Sequence, residues 1–242
     1  MLKAKALLAV FLGCLWAPIL VAQSVAIANM PSLQRGAKVF MNYCSGCHSL
    51  TYLRYNQMAE GLGLVDFDGR VDENLLKNNL IFTEALVNEP MRIALPPEDA
   101  KQWFGVVPPD LSLIARAKGA DWLFSYLKSF YTDNSRPFGV NNLLVPGVAM
   151  PNILEPLIGE MTLVRATQEH AAQLSLVKEG ELSSAQLDGL LQDLVNFLVY
   201  VGEPTQAARH QLGYFVLAFL LVFLLVVLGL NRLYWQKISW FR

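Results

Sequence analysis

The sequence predicts a mainly α protein, in which a helical domain with long loops is followed by one C-terminal transmembrane helix. Three observations support this. Leu187, Leu190, Leu191, Leu194, Val195, Leu198 and Val201 recur at helical spacing. Strand-like alternation is scarce along the 242 residues. Leu212 to Leu230 is a run of 19 residues with no charge. At about 1.5 Å rise per residue that run covers about 28 Å, close to the hydrocarbon thickness of a bilayer.

The chain opens with Lys3 and Lys5, then an uncharged run from Ala6 to Ala22. Small residues follow, and Ala22-Gln23-Ser24, Ser24-Val25-Ala26 or Ala26-Ile27-Ala28 would each suit a signal peptidase. Residues 1–26 therefore read as a secretory signal peptide, with a retained anchor as the alternative. Residues 27–208 form the exported domain, 209–231 the membrane anchor and 232–242 a short tail. Arg232, Lys237 and Arg242 follow the span, which puts the tail in the cytoplasm by the positive-inside rule. Tyr214, Tyr234, Trp235 and Trp240 supply interfacial aromatics. The expected location is a bacterial inner membrane, crossed once, with the domain on the periplasmic side.

That domain is acidic. Between Ile27 and Ala208 there are 20 Asp and Glu against 13 Lys and Arg, a net charge of −7. This excess argues against a nucleic-acid partner and favours a basic one. Residues 60–99 concentrate it, with nine acidic side chains and three basic. An ordinary solvated face would read the same way.

Beyond the signal, the only cysteines are in Cys44-Ser45-Gly46-Cys47-His48. C-x-x-C-H is the attachment pattern of c-type haem. Two thiols with two residues between them reach the vinyl groups on one edge of a porphyrin, and the adjacent histidine falls under the iron. A zinc site would need further ligands, but His170 and His210 are isolated. A redox C-x-x-C would call for a βαβ setting, which is not visible. One covalent haem c is thus the expected cofactor, and single-electron transfer the expected activity, with no bond chemistry of the chain's own.

Ser32 to Tyr43 reads as a helix running into the motif, with Gly36 and Phe40 on one face. Ser183 and Gln186 make a capping box for the later helix, and Gly202-Glu203-Pro204 ends it. Two such helices crossing at Gly36 resemble the arrangement of small monohaem cytochromes. The iron needs a further ligand. Met150 sits in Val145-Pro146-Gly147-Val148-Ala149-Met150-Pro151, where Pro-Gly makes a turn and Pro151 biases Met150 towards extended backbone. Met161 and Met91 are the alternatives. A thioether ligand favours ferrous iron and closes the site to oxygen chemistry.

Residues 42–55 (NYCSGCHSLTYLRY), 103–119 (WFGVVPPDLSLIARAKG), 129–142 (SFYTDNSRPFGVNN) and 146–152 (PGVAMPN) resemble the cytochrome c1 family of proteobacteria. These proteins are the haem subunits of the cytochrome bc1 complex, and the likeness extends over nearly the whole exported chain. The resemblance implies covalent haem on Cys44 and Cys47, axial His48 and Met150, and a haem face lined by Pro108-Pro109-Asp110-Leu111. It implies a propionate near Arg116 or Lys118. It implies a place beside cytochrome b and a Rieske iron–sulfur protein, the electron donor, in a dimeric complex in the lipid bilayer, with a soluble or membrane-tethered cytochrome c as acceptor. This chain departs from mitochondrial members in carrying Pro151-Asn152 rather than Pro-Pro after the methionine, and from some bacterial ones in having no cysteine pair in Ile153–Leu182. An anchored stand-alone cytochrome and an enzyme with an open haem site are the rival readings.

Overall fold

The computed structural model describes residues 29–164 and 173–239. The expected signal segment 1–26 lies outside them. The elements in chain order are α1 (Met30–Tyr43), β1 (Leu50–Arg54), α2 (Tyr55–Gly61), α3 (Glu73–Asn79), β2 (Pro90–Met91), α4 (Pro97–Phe104), α5 (Ile114–Lys118), α6 (Ala120–Lys128), β3 (Phe130–Thr132) and β4 (Val140–Asn142). Then come α7 (Glu155–Ile158), β5 (Gly159–Val164), β6 (Gln173–Glu179), α8 (Ser184–Gly202) and α9 (Gln206–Ser239).

The domain is organised by the crossing of α1 and α8. Asn29 caps α1 through the Ser32 amide, and Ser183 with Gln186 closes both halves of the capping box on α8. Each helix buries an apolar stripe. Leu33, Ala37 and Phe40 of α1 meet Leu194, Phe197, Leu198 and Val201 of α8, all under 5 % exposed. The Phe40 and Phe197 rings lie 5.7 Å apart. A Cβ on Gly36 would collide with the Asp193 carbonyl and come within 2.8 Å of Phe197 Cβ. Glycine is therefore what lets the two backbones meet. A polar seam runs beside this contact: Ser32 Oγ donates to Asp193 Oδ1 (2.6 Å), Asn196 Nδ2 donates to Ser32 Oγ (2.9 Å), and Arg35 pairs with Asp193.

Short antiparallel pairs decorate this helical body. β1 pairs with β2, β3 with β4, and β5 with β6. The sequence showed little of them, because strands of two to five residues are too short to establish a period. β5–β6 is longer, but much of it stands exposed and lacks a buried face to enforce alternation.

α9 leaves the domain as a single helix of 34 residues, about 51 Å long. Ala208–Gln236 is long and apolar enough to cross a membrane, and its most apolar window is 0 % buried. An apolar helix left unburied by the described residues fits a membrane span. At the junction, Glu203 accepts from Arg209 and pairs with Arg116 at 3.5 Å. These contacts tie the root of the anchor to α5.

Candidate haem site

The last turn of α1 delivers the cysteine motif. The Cys44 and Ser45 amides both donate to the Phe40 carbonyl, at 2.8 and 3.0 Å. The Cys47 and His48 amides donate to the Cys44 carbonyl, at 3.0 and 2.9 Å. The motif is thus a tight hydrogen-bonded turn, with both thiols and the imidazole lining one cavity. Cys44 and Cys47 are not joined to each other. Burial pushes the Cys44 thiol up to about 12, with the neighbouring Cys47 adding to the shift. It is therefore a neutral thiol at physiological pH.

His48 is 9 % exposed, and its Nδ1 lies 2.8 Å from the Pro109 carbonyl. A carbonyl only accepts, so Nδ1 carries the proton and the Nε2 lone pair is free for a metal. Burial lowers the His48 pKa, against the opposing pull of the Pro109 carbonyl and Asp110, and so favours the neutral imidazole. Pro109 is itself held in place. The Leu111 amide donates to the Ser49 carbonyl at 3.0 Å. The Asp110 carboxylate accepts from the Thr51 amide (2.9 Å), the Thr51 hydroxyl (2.6 Å) and the Ser112 amide (2.8 Å). This stitches the Pro108–Ser112 strip to β1.

Met150 lines the same cavity. Its loop is fixed by two asparagines at the end of β4. Asn142, fully buried, donates from Nδ2 to the Tyr126 carbonyl (2.9 Å) and accepts on Oδ1 from the Leu144 and Val145 amides. Asn141 Oδ1 accepts from the Gly147 amide at 2.8 Å. Arg136 donates to the Gly147 carbonyl (2.7 Å), and Gly147 takes a φ of +79°, the left-handed value that suits glycine. The Tyr126 hydroxyl donates to Met150 Sδ at 3.5 Å.

The cavity measures about 410 Å³, and apart from these donors its walls are mainly apolar, including Pro108, Leu111, Trp122, Leu194 and Leu198. Pro109 and Lys118 line it; Arg116 does not. Lys118 Nζ lies 5.3 Å over the Trp122 ring, whereas Arg116 turns to Glu203. Met161 is paired with Leu176 in the β5–β6 hairpin. Met91 lines a separate void of about 30 Å³, which His48 also borders. Among the described residues no three His, Cys, Asp or Glu side chains converge as a metal-ion site, so Cys44 and Cys47 gain no partners for zinc. A neutral imidazole, a thioether, two adjacent thiols and an apolar enclosure are a donor set that fits haem c.

Residues 23–238 match the family model described as the Cytochrome C1 family. The chain belongs to the cytochrome c1 family. It is 43 % identical over 221 residues to cytochrome c1 of Allochromatium vinosum, covering 89 % of this chain and 88 % of that one. It is 42 % identical over 211 residues to a protein of Nitrosomonas europaea named ammonia monooxygenase gamma subunit, covering 87 % and 85 %. Cytochrome c1 of Rhodospirillum rubrum is 26 % identical over 232 residues, covering 87 % and 83 %. Among solved structures, a chain of a hyperthermophilic respiratory Complex III aligns with a TM-score of 0.41 at 18 % identity, over 85 % of this chain and 76 % of that one. As a cytochrome c1 family member the chain is an electron-transfer subunit of the bc1 type with covalent haem c as cofactor, and its C-terminal helix anchors it in a membrane.

Sequence reasoning assigned no role to Tyr126, Arg136, Asn141 or Asn142. The one available signal was two asparagines just before a Pro-Gly turn, a residue type that hydrogen-bonds nearby backbone.

Proposed function

We propose that this chain takes electrons from a Rieske iron–sulfur protein and passes them to a cytochrome c, beside cytochrome b in a dimeric membrane complex. Cys44 and Cys47 would hold the haem covalently as thioethers, since both thiols line the cavity. His48 Nε2 and Met150 Sδ would be the two protein donors to the iron. Lys118, at the cavity wall, neutralises a propionate, while Arg116 serves the anchor junction. When bound, the haem would supply one-electron chemistry. Pro109 orients the imidazole, the Asn141–Asn142 brackets hold the Met150 loop, and the apolar walls exclude water.

The observation that carries this reading is that His48, with Nδ1 committed to Pro109, and Met150 line one cavity with both thiols. A thioether in the sixth position closes the site, which favours electron transfer over the oxygen chemistry that the name of the Nitrosomonas relative suggests. The basic tail and the acidic domain support a periplasmic head, and the acidic residues between 60 and 99 suit electrostatic steering of a basic cytochrome c.

Purification of the full chain from detergent-solubilised membranes tests the reading. The haem is expected to resist acid–acetone extraction, and cytochrome b and a Rieske protein are expected to copurify. Extractable haem would overturn the covalent assignment. A haem protein that purifies alone would leave an anchored stand-alone cytochrome.

A further inference from the structure

Tyr126 lies on α6, one helical turn after Trp122, and both rings line the cavity. The two rings stack at 5.0 Å with 9° between their planes, and Phe130 closes the other side edge-on at 5.3 Å and 70°. The Tyr126 carbonyl accepts from Asn142, the residue that also organises the Met150 loop. Ring and backbone are thus held from three directions. The hydroxyl donates to Met150 Sδ, at a distance normal for a sulfur acceptor, and among the described residues this is the one hydrogen bond recorded for it. Packing alone does not require a hydroxyl here, because a phenylalanine would stack equally well on Trp122 and Phe130.

We propose that Tyr126 is a positioning residue for the sixth ligand, and that its hydroxyl sets the donor strength of the Met150 sulfur and so raises the potential of the haem. This rests on Met150 being that ligand. A thioether sulfur has two lone pairs, of which the iron takes one and the phenol proton the other. A proton on the second pair draws electron density from the sulfur. Ferric iron, the more electron-demanding state, loses more from that withdrawal than ferrous iron, for which the soft thioether is already a good partner. The bond therefore favours the reduced form. It also leaves the ferric iron–sulfur bond easier to displace at alkaline pH.

Tyr126→Phe in the full-length haem protein tests this, since it removes one oxygen and keeps the stacked ring. The expected result is a lower potential together with a higher alkaline midpoint for loss of the far-red sulfur-to-iron band. A purely structural role predicts the reverse on the second measure. A loosened loop would release the sulfur more readily, and the band would be lost at lower pH. Unchanged potential and midpoint, or a fall in both, would overturn the proposal. Tyr126→Leu removes the stacking as well, and it is expected to lower the potential but also to lower the alkaline midpoint. Met150→Leu separates this proposal from the reading beneath it. If the band survives Met150→Leu, both fail; if Met150→Leu abolishes it and Tyr126→Phe changes nothing, the Tyr126 role alone fails.

Discussion

Burial opposes the ionisation of Asp110, but hydrogen bonds from Ser112 and Thr51 outweigh it and hold its carboxyl below the usual carboxylate range. A depressed pKa in the folded state means that the group stabilises the fold above its unfolded value, about 3.9. The contribution disappears as pH falls through the lower folded value. Because Asp110 fixes the strip that presents the Pro109 carbonyl to His48, the effect reaches the imidazole. Asp110→Ala is expected to lower the thermal midpoint of the haem protein at neutral pH, by an amount corresponding to about 1 kcal/mol, a modest figure for so exposed a side chain. The gap should begin to narrow as pH falls below about 4 and close once pH has passed through the lower folded value, where the wild-type carboxylate protonates. Thermal scans of both proteins from neutral to acid pH give the answer, and a gap independent of pH would contradict it. Other residues at this scale were illegible in the sequence for a definable reason. Arg116 and Lys118 are two apart on a short helix, so they point about 200° away from each other and only one can face the cavity. The sequence did not reveal which face of α5 is inward, because that depends on Glu203, far along the chain.

At the scale of elements, legibility follows length and period. α1, α8 and α9 could be read from apolar spacing, the capping box and the uncharged run, because each signal repeats over three turns or more. The brackets around the Met150 loop could not, since a single asparagine bonding to nearby amides leaves no periodic trace. The α1–α8 crossing was legible through Gly36, and it yields a competition between two effects. Alanine is a better helix former than glycine by about 1 kcal/mol. A methyl group at position 36 would press on the Asp193 carbonyl, which belongs to a helix backbone and cannot swing aside. Overpacking of that kind costs about 1–3 kcal/mol, so the clash wins. Gly36→Ala is expected to lower the thermal midpoint by a few degrees and to disturb the motif turn at the end of α1. Equal or greater stability in a denaturation scan would show that the helices are free to separate.

For the whole molecule, the fold works as a frame that brings side chains far apart in the chain to one cavity. His48 follows α1, Met150 follows β4, Lys118 ends α5, and the wall between them is completed by Leu194 and Leu198 of α8. The anchor then leaves from the C-terminal end of α8, next to the Glu203 pairs, so the haem domain is fixed to the membrane through the same helix that backs the cavity. If this frame places the Met150 sulfur on the iron, as proposed, the far-red sulfur-to-iron band of the ferric protein reports it most directly. The band should be present in the wild type, persist in Met91→Leu and Met161→Leu, and vanish in Met150→Leu, with haem still covalently held and the ferrous form now open to carbon monoxide. A band that survives Met150→Leu and disappears in Met161→Leu or Met91→Leu would contradict the account.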